Sequence, residues 1–144
     1  MDKVYRIFVE KREQFAVEAK EVLHNLKTQL KIEKLTDLKV VNRYDVQGVN
    51  EAALKEGISI ILSEPMVDDV ILEDYNDDKA IIFGIEYLPG QYDQRADACE
   101  QCFQLLTGEK NVKVKCAKLV VLYGDLNGDG EINSADLLKI VKHL

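Results

Sequence analysis

Two apolar periodicities alternate along the chain, and their order restricts the folds open to it. Apolar and polar side chains alternate through residues 4–9, as in a half-buried strand. Through residues 15–30 the apolar positions recur every three to four residues, as in a helix with one buried stripe. Alternation returns through residues 38–46, and Gly48 and Asn50 then supply a turn and an N-cap. The order predicts a βαβ unit followed by a second helix.

The second half of the chain repeats this order. Three short strand candidates come first: residues 58–62, 67–72 and 80–87. Residues 91–106 then have helical periodicity, Gly108 ends the helix, and residues 112–123 alternate as a long strand. The expected apolar side of this helix consists of Ala98, Cys102, Leu105 and Leu106. We therefore predict an α+β fold, a ferredoxin-like or duplicated ferredoxin-like arrangement of βαβ units, with an antiparallel sheet and helices on one face.

Charge and composition exclude several functional classes. The 144 residues include 19 Lys+Arg and 26 Asp+Glu, which gives a formal net charge of −7. A nucleic-acid surface needs a positive field, so we expect no nucleic-acid partner. No apolar run approaches the roughly 20 residues of a membrane-spanning helix, and the start MDKVYRIFVEKR lacks the apolar region of a secretory signal. We expect no membrane contact and a cytoplasmic location.

The three cysteines do not complete a zinc site. Cys99 and Cys102 are i and i+3 neighbours on the predicted third helix, and Cys116 follows on the last strand. A tetrahedral zinc site needs a fourth ligand, and the sequence offers no further Cys or nearby His. We interpret Cys99 and Cys102 as buried free thiols.

The last residues, 124–144, carry the sharpest chemical signal. They read GDLNGDGEINSADLLKIVKHL, an acidic, Gly-rich loop followed by an amphipathic helix. Oxygen-bearing residues have the spacing of a twelve-residue calcium loop, in which position 7 contributes its backbone carbonyl: Asp125 at position 1, Asn127 at 3, Asp129 at 5, Glu131 at 7 and Asp136 at 12. Gly130 at position 6 permits the sharp turn over the ion. The spacing predicts calcium binding; the alternative is an Asx-rich turn before a helix capped by Asn133 or Ser134.

The same segment resembles one half-repeat of a type I dockerin, a module that anchors secreted cellulose-degrading enzymes to cohesins. The resemblance covers residues 124–144 and contains one loop where dockerins carry two. It implies that Ser134 and Ala135 lie where the cohesin is recognised, and that a cohesin-like protein is the partner.

A second resemblance covers most of the chain. The segment EYLPGQYDQRADACEQCFQLLTG, residues 86–108, resembles the N-terminal region of phosphoribosylformylglycinamidine synthase, the glutamine- and ATP-dependent ligase of purine biosynthesis, in its clostridial and related long form. Four further segments resemble this family in the same order and extend the match over residues 3–126: VYRIFVEKREQFAVEAKEVLHNLKTQL, VVNRYDVQGV, ILSEPMVD and AKLVVLYGDL.

This resemblance implies that residues 1–123 form the N-terminal scaffold-like domain of the ligase, which resembles a pair of small companion subunits, and that residues 124–144 are a separate calcium-loop tail. In the family, ATP, magnesium and the glutaminase machinery belong to later domains. We therefore expect a fragment of a carbon-nitrogen ligase with no catalytic residues of its own. Its partners would be the remaining ligase domains.

Polar residues at the start of the third helix are the candidate contact surface: Asp93, Gln94, Arg95 and Asp97. Acidic side chains favour the positive end of a helix, so the alternative is an N-terminal cap with surface ion pairs. For the whole chain, the alternative to the ligase domain is a calcium-dependent interaction module fused to a passenger domain. A third hypothesis, a small-molecule regulatory domain, depends on fold analogy alone.

Overall fold

A computed structural model describes residues 3–29, 35–76, 80–88 and 90–124. Within these residues, strands and helices follow one another in the order β1, α1, β2, α2, β3, β4, α3, β5. Their bounds are β1 Val4–Lys11, α1 Val17–Thr28, β2 Leu35–Gln47, α2 Glu51–Gly57, β3 Asp68–Leu72, β4 Ile81–Glu86, α3 Gln94–Thr107 and β5 Lys113–Gly124. None of the helices in this part of the chain is long and apolar enough to cross a membrane.

The described strands form one sheet in the order β3-β1-β2-β5-β4, and every ladder in it is antiparallel. The α+β class and the antiparallel sheet are thus confirmed. The strands that flank α1 pair directly with each other, as do those that flank α3. A βαβ unit joins parallel strands, so the two predicted units do not have that form. The ferredoxin-like assignment is not confirmed, because its split unit holds another strand between the two strands that flank each helix.

The predicted placement of the helices on one face is confirmed. Helix α1 buries Ala19 and Leu26 against Leu38 of β2 and against Val120 of β5. Helices α2 and α3 pack on the other half of the sheet, in a cluster that includes Ile7, Val9, Tyr44, Val46, Leu54, Phe103 and Val114. Leu38 and Tyr44 are separated by an even number of positions and so point to the same side of β2. All three helices therefore lie over one face.

The second face of the sheet carries its own apolar cluster and charged pairs. Its buried members are Phe8, Val41, Leu119 and Val121. The Tyr75 ring lies 5.7 Å from that of Phe8, and its hydroxyl donates a 2.8 Å hydrogen bond to Glu10 Oε2. Ion pairs join strands on this face: Arg6 Nε of β1 lies 2.8 Å from Asp45 Oδ1 of the neighbouring β2, and Arg43 Nη2 of β2 reaches across β5 to lie 2.8 Å from Glu86 Oε2 of β4.

The strand predicted at residues 58–62 is wrong. Ile58–Leu62 continues α2 as one π-helical turn, which Ser63 closes by donating a 2.6 Å hydrogen bond to the Ile58 carbonyl. Its β-branched residues favour a strand locally, but Leu62 is buried in the core cluster under α3. Tertiary packing therefore overrides the local preference.

Two predicted helix faces also need correction. Phe15 precedes α1 in a 3-10 turn, Glu13–Phe15, and its side chain is 41% exposed. On α3 the buried side consists of Ala96, Cys99 and Phe103, and the predicted Ala98, Cys102 and Leu105 are exposed. The helix ends agree better with the sequence, since Asn50 Oδ1 accepts a 2.8 Å hydrogen bond from the Ala53 amide and Gly108 ends α3 with φ 75°.

Candidate functional site

A cleft lies above the centre of the sheet, between α1 and α3. Its floor contains two polar side chains at the centre of the sheet, Asn42 of β2 and Lys118 of β5, which are paired across the central ladder. Glu18 of α1 and Arg95 of α3 reach over them from the two helices. We call the space around these four residues the central cleft.

The central cleft has two lobes that share Asn42 and Arg95. The lobe toward β1 has a volume of about 680 Å³, and its lining includes Val9, Ile60 and Leu62. The lobe toward β4 has a volume of about 810 Å³ and is lined by Ile85 and Tyr87, among others. Both volumes fall within the range of small-molecule and peptide-anchor pockets.

Arg95 is held in the cleft by a neutral acceptor. Its Nη1 donates a 2.7 Å hydrogen bond to Asn42 Oδ1, and its positive charge acts on Tyr44 nearby. Burial raises the pKa of Tyr44 to about 12, so this phenol stays neutral. No described carboxylate forms an ion pair with Arg95. Its positive charge and remaining donors are therefore available to a carboxylate or carbonyl from outside the described residues.

Lys118 and Glu18 bridge the mouth of the same cleft. Lys118 Nζ lies 2.9 Å from Glu18 Oε1, and their side chains are 40% and 61% exposed. Water screens such a pair, so its contribution to stability is small. Breaking this pair would therefore cost little free energy.

The turn between β4 and α3 presents three large side chains to solvent beside the cleft. Tyr87, Leu88 and Tyr92 are 59%, 68% and 69% exposed, and we call them the turn surface. Leu88 N donates to Gln91 Oε1 at 2.7 Å, and Gln91 N donates to the Leu88 carbonyl at 3.0 Å. These bonds order the turn, so the exposed side chains stand on a defined backbone.

The predicted contact residues at the start of α3 divide between two roles. Asp93 is the N-cap, since its Oδ1 accepts a 3.1 Å hydrogen bond from the Ala96 amide. Asp97 Oδ2 accepts from the Tyr92 hydroxyl at 3.0 Å and thereby holds a member of the turn surface. Gln94 is exposed at the cleft. The side chain of Arg95 extends from α3 to Asn42 of β2. The capping interpretation describes Asp93, and the contact role of these residues stays a prediction.

Sequence reasoning missed four residues of this site: Glu18, Asn42, Tyr44 and Lys118. A signal for two of them is present in the alternation. Asn42 interrupts the inward series from Leu38 to Val46, and Lys118 interrupts the corresponding series on β5. A polar side chain on the buried face of a strand marks a place where the layer above is open.

The thiols are arranged differently from the prediction. Cys99 is buried as predicted, but Cys102 is exposed. Cys116 of β5 packs against the core cluster that contains Cys99. The interaction between the two thiols lowers the pKa of Cys99 and raises that of Cys116, and the charge of Arg95 further lowers the pKa of Cys99.

The predicted calcium ligands lie outside the described residues. This applies to Asp125, Asn127, Asp129, Glu131 and Asp136, and equally to Ser134 and Ala135. In the described ranges, no group of three or more Cys, His, Asp or Glu side chains is placed to hold a metal ion.

No protein-family model matches this chain, and neither curated proteins nor solved structures gave a match. Its function is therefore inferred from the residues and their geometry.

Proposed function

We propose that the chain is the N-terminal docking and scaffolding domain of a phosphoribosylformylglycinamidine synthase-like ligase, non-catalytic by itself and cytoplasmic. The turn surface carries this proposal. It belongs to the stretch with the most specific resemblance to the ligase, and it presents Tyr87, Leu88 and Tyr92 on an ordered turn. ATP and magnesium would act in the remaining ligase domains, which are the proposed partner.

The chemistry of this surface suits a protein partner. Aromatic side chains and arginine supply a large share of binding energy at interfaces. Because the turn is already ordered by hydrogen bonds, docking loses less conformational entropy there than on a mobile loop. Arg95, beside the turn surface, could pair with an acidic or carbonyl group that the partner presents.

The arrangement of the two halves is consistent with a duplicated domain. The units β1-α1-β2 and β4-α3-β5 lie on either side of the β2–β5 ladder. Helix α1 packs mainly on β2, and α3 packs mainly on β5, so each helix covers a strand of its own unit. The two units thus have the same order of elements and the same helix placement, which supports the resemblance to a pair of companion subunits and the duplicated form of the fold.

Removing the turn surface should separate docking from folding. The chain would be added in trans to the ligase lacking its first domain, with binding followed by calorimetry and ligation by glutamine-dependent product formation. We expect Tyr87→Ala together with Leu88→Ala to weaken binding about tenfold or more, because two exposed anchors are lost. Leu105→Ala, at a leucine 87% exposed farther along α3, is the matched control and should bind like the parent. Failure of the parent chain to bind, or equal affinities for all variants, contradicts the proposal.

The second candidate is calcium binding by residues 125–136, with a cohesin-like partner at Ser134 and Ala135. The specific support is the sequence spacing of Asp125, Asn127 and Asp129 around Gly130. Asp136 at position 12 is one methylene shorter than the usual Glu.

Calcium should stabilise the full chain if this loop binds it. At about 100 times the dissociation constant the stabilisation is about 2.7 kcal/mol, visible as a rise in melting temperature. Asp129→Ala should abolish the rise, whereas Asp74→Ala, an exposed aspartate in the described part of the chain, should leave it intact. Identical melting with calcium and with a chelator would dispose of the site.

A further inference from the structure

Cys99 and Cys116 form a dithiol pair between α3 and β5. Cys99 follows Arg95 by one helical turn on the buried side of α3. Cys116 lies on the helix-covered face of β5, between Val114 and Lys118, and packs against the core cluster that contains Cys99. Each of the two thiols shifts the pKa of the other. Although Cys102 is nearer to Cys99 in sequence, it is exposed on a different side of the helix.

One further contact fixes α3 over β5, and another fixes it against α2. Glu100, the neighbour of Cys99, accepts a 2.9 Å hydrogen bond through its Oε1 from the Val114 amide. Phe103, one turn later, is fully buried against Gly57 at the end of α2. The pair therefore lies where α3 packs closely on its neighbours.

The charged and polar groups around Cys99 favour a reactive sulfur. Besides Cys116, it faces Arg95, Asp93 and Glu100 from α3 and its cap, and Tyr44 from β2. The interaction with the Cys116 thiol and then the charge of Arg95 lower the pKa of Cys99, against burial and the two carboxylates, which raise it. A thiol with lowered pKa is the better nucleophile in disulfide exchange.

Both sulfurs border the central cleft. Cys99 lines the lobe toward β1, and Cys116 lines the lobe toward β4. Cys99 is only 8% exposed, so a reagent reaches it through the cleft rather than from the open surface. A small disulfide fits lobes of about 680 and 810 Å³.

We propose that Cys99 and Cys116 are a reversible disulfide site, oxidised through the central cleft by small disulfides of the glutathione class. The Cys99 thiolate attacks one sulfur of the glutathione disulfide, forming a mixed disulfide and releasing one glutathione thiolate. Cys116 then attacks the Cys99 sulfur, the intrachain bond forms, and the second glutathione leaves with the proton of Cys116. Two protein thiols are oxidised, and one glutathione disulfide is reduced to two thiols.

The bond would tie α3 to β5 directly below Arg95. It closes a short loop between residues 99 and 116, which restricts the unfolded chain. We expect the oxidised protein to melt roughly 5–10 °C above the reduced one. The proposed docking function does not depend on this disulfide, so each proposal can be overturned without the other.

The test uses the full reduced chain, incubated with oxidised glutathione, alkylated at its remaining thiols and digested with trypsin. Cleavage after Arg95, Lys110, Lys115 and Lys118 places Cys99 and Cys102 on residues 96–110 and Cys116 on residues 116–118. We expect these two peptides to be joined, with Cys102 alkylated. The Cys102→Ser variant should retain the link, and Cys116→Ser should stop at a glutathione adduct on Cys99.

The controls keep the result independent of folding. Cys99→Ser and Cys99→Ala should both lose the link, and circular dichroism of each reduced variant shows whether it is folded. Reduction with dithiothreitol should restore three alkylated thiols and the lower melting temperature. A link that needs Cys102, or three equally alkylated thiols after oxidation of the folded parent, would overturn the proposal.

Discussion

Gly48→Ala is expected to lower the free energy of unfolding by about 2–5 kcal/mol. Gly48 has φ +89°, and an added Cβ would lie 2.5 Å from the Asn111 carbonyl oxygen. Left-handed backbone costs a non-glycine residue about 1–2 kcal/mol. The clash adds to this, because a backbone carbonyl cannot rotate aside as a side chain can. Urea unfolding with an unchanged m-value measures the loss.

Gly108→Ala is the matched control for this prediction. Gly108 also has a left-handed backbone, with φ +75°, but an added Cβ there meets nothing within 4 Å. Its replacement should cost only the conformational term, about 1–2 kcal/mol. Equal losses in the free energy of unfolding would show that the clash with the Asn111 carbonyl adds nothing to the cost of replacing Gly48.

Local chemistry predicted most of the strands and helix ends, because each depends on neighbours in sequence. The Asn50 cap and the left-handed Gly108 are of this kind, as are strands β1, β2 and β5. Strand pairing is different. Alternation shows which side chains share a face, but it is the same for a parallel and an antiparallel neighbour. The alternation pattern therefore could not predict that β1 pairs directly with β2 in the antiparallel direction.

The buried side of helix α3 was predicted wrongly because its sequence has two candidate apolar sides. Its sequence places small or apolar residues on two sides, one including Ala98 and Leu105 and the other including Ala96 and Phe103. Only the second side meets the sheet, because Phe103 occupies the space left above Gly57. That space is created by α2, far away in sequence, and periodicity within α3 carries no information about it.

The candidate site was predicted in part for the same reason. Arg95 was identified from its own helix start, but its acceptor Asn42 and its neighbour Tyr44 come from a strand about fifty positions earlier. The partner of Cys99 is likewise Cys116 on the last strand, not the i+3 neighbour Cys102. Contacts between the helices and the sheet depend on the order and direction of the strands. That topology was the part of the fold that the sequence predicted least well.

Phe103→Ala should be the most destabilising substitution on α3, with a loss of about 3–5 kcal/mol in the free energy of unfolding. Phe103 is 0% exposed and fills the junction of α2, α3 and the sheet, so truncation leaves a cavity under two helices. Chemical denaturation of the variant measures the loss. A value below about 1 kcal/mol would mean that the junction collapses around the missing ring.

Gly57 tests the same contact from the other side. Alanine usually stabilises a helix relative to glycine by about 1 kcal/mol. At Gly57, however, the added Cβ would contact the Phe103 ring, so Gly57→Ala alone should destabilise by about 1–3 kcal/mol. In the Phe103→Ala background the ring is gone, and the same substitution should be neutral or stabilising. The double-mutant cycle thus measures the interaction energy between the methyl group added at position 57 and the Phe103 ring, because that contact exists only when both groups are present. An identical cost of Gly57→Ala in both backgrounds would show that the ring is not what excludes a side chain there.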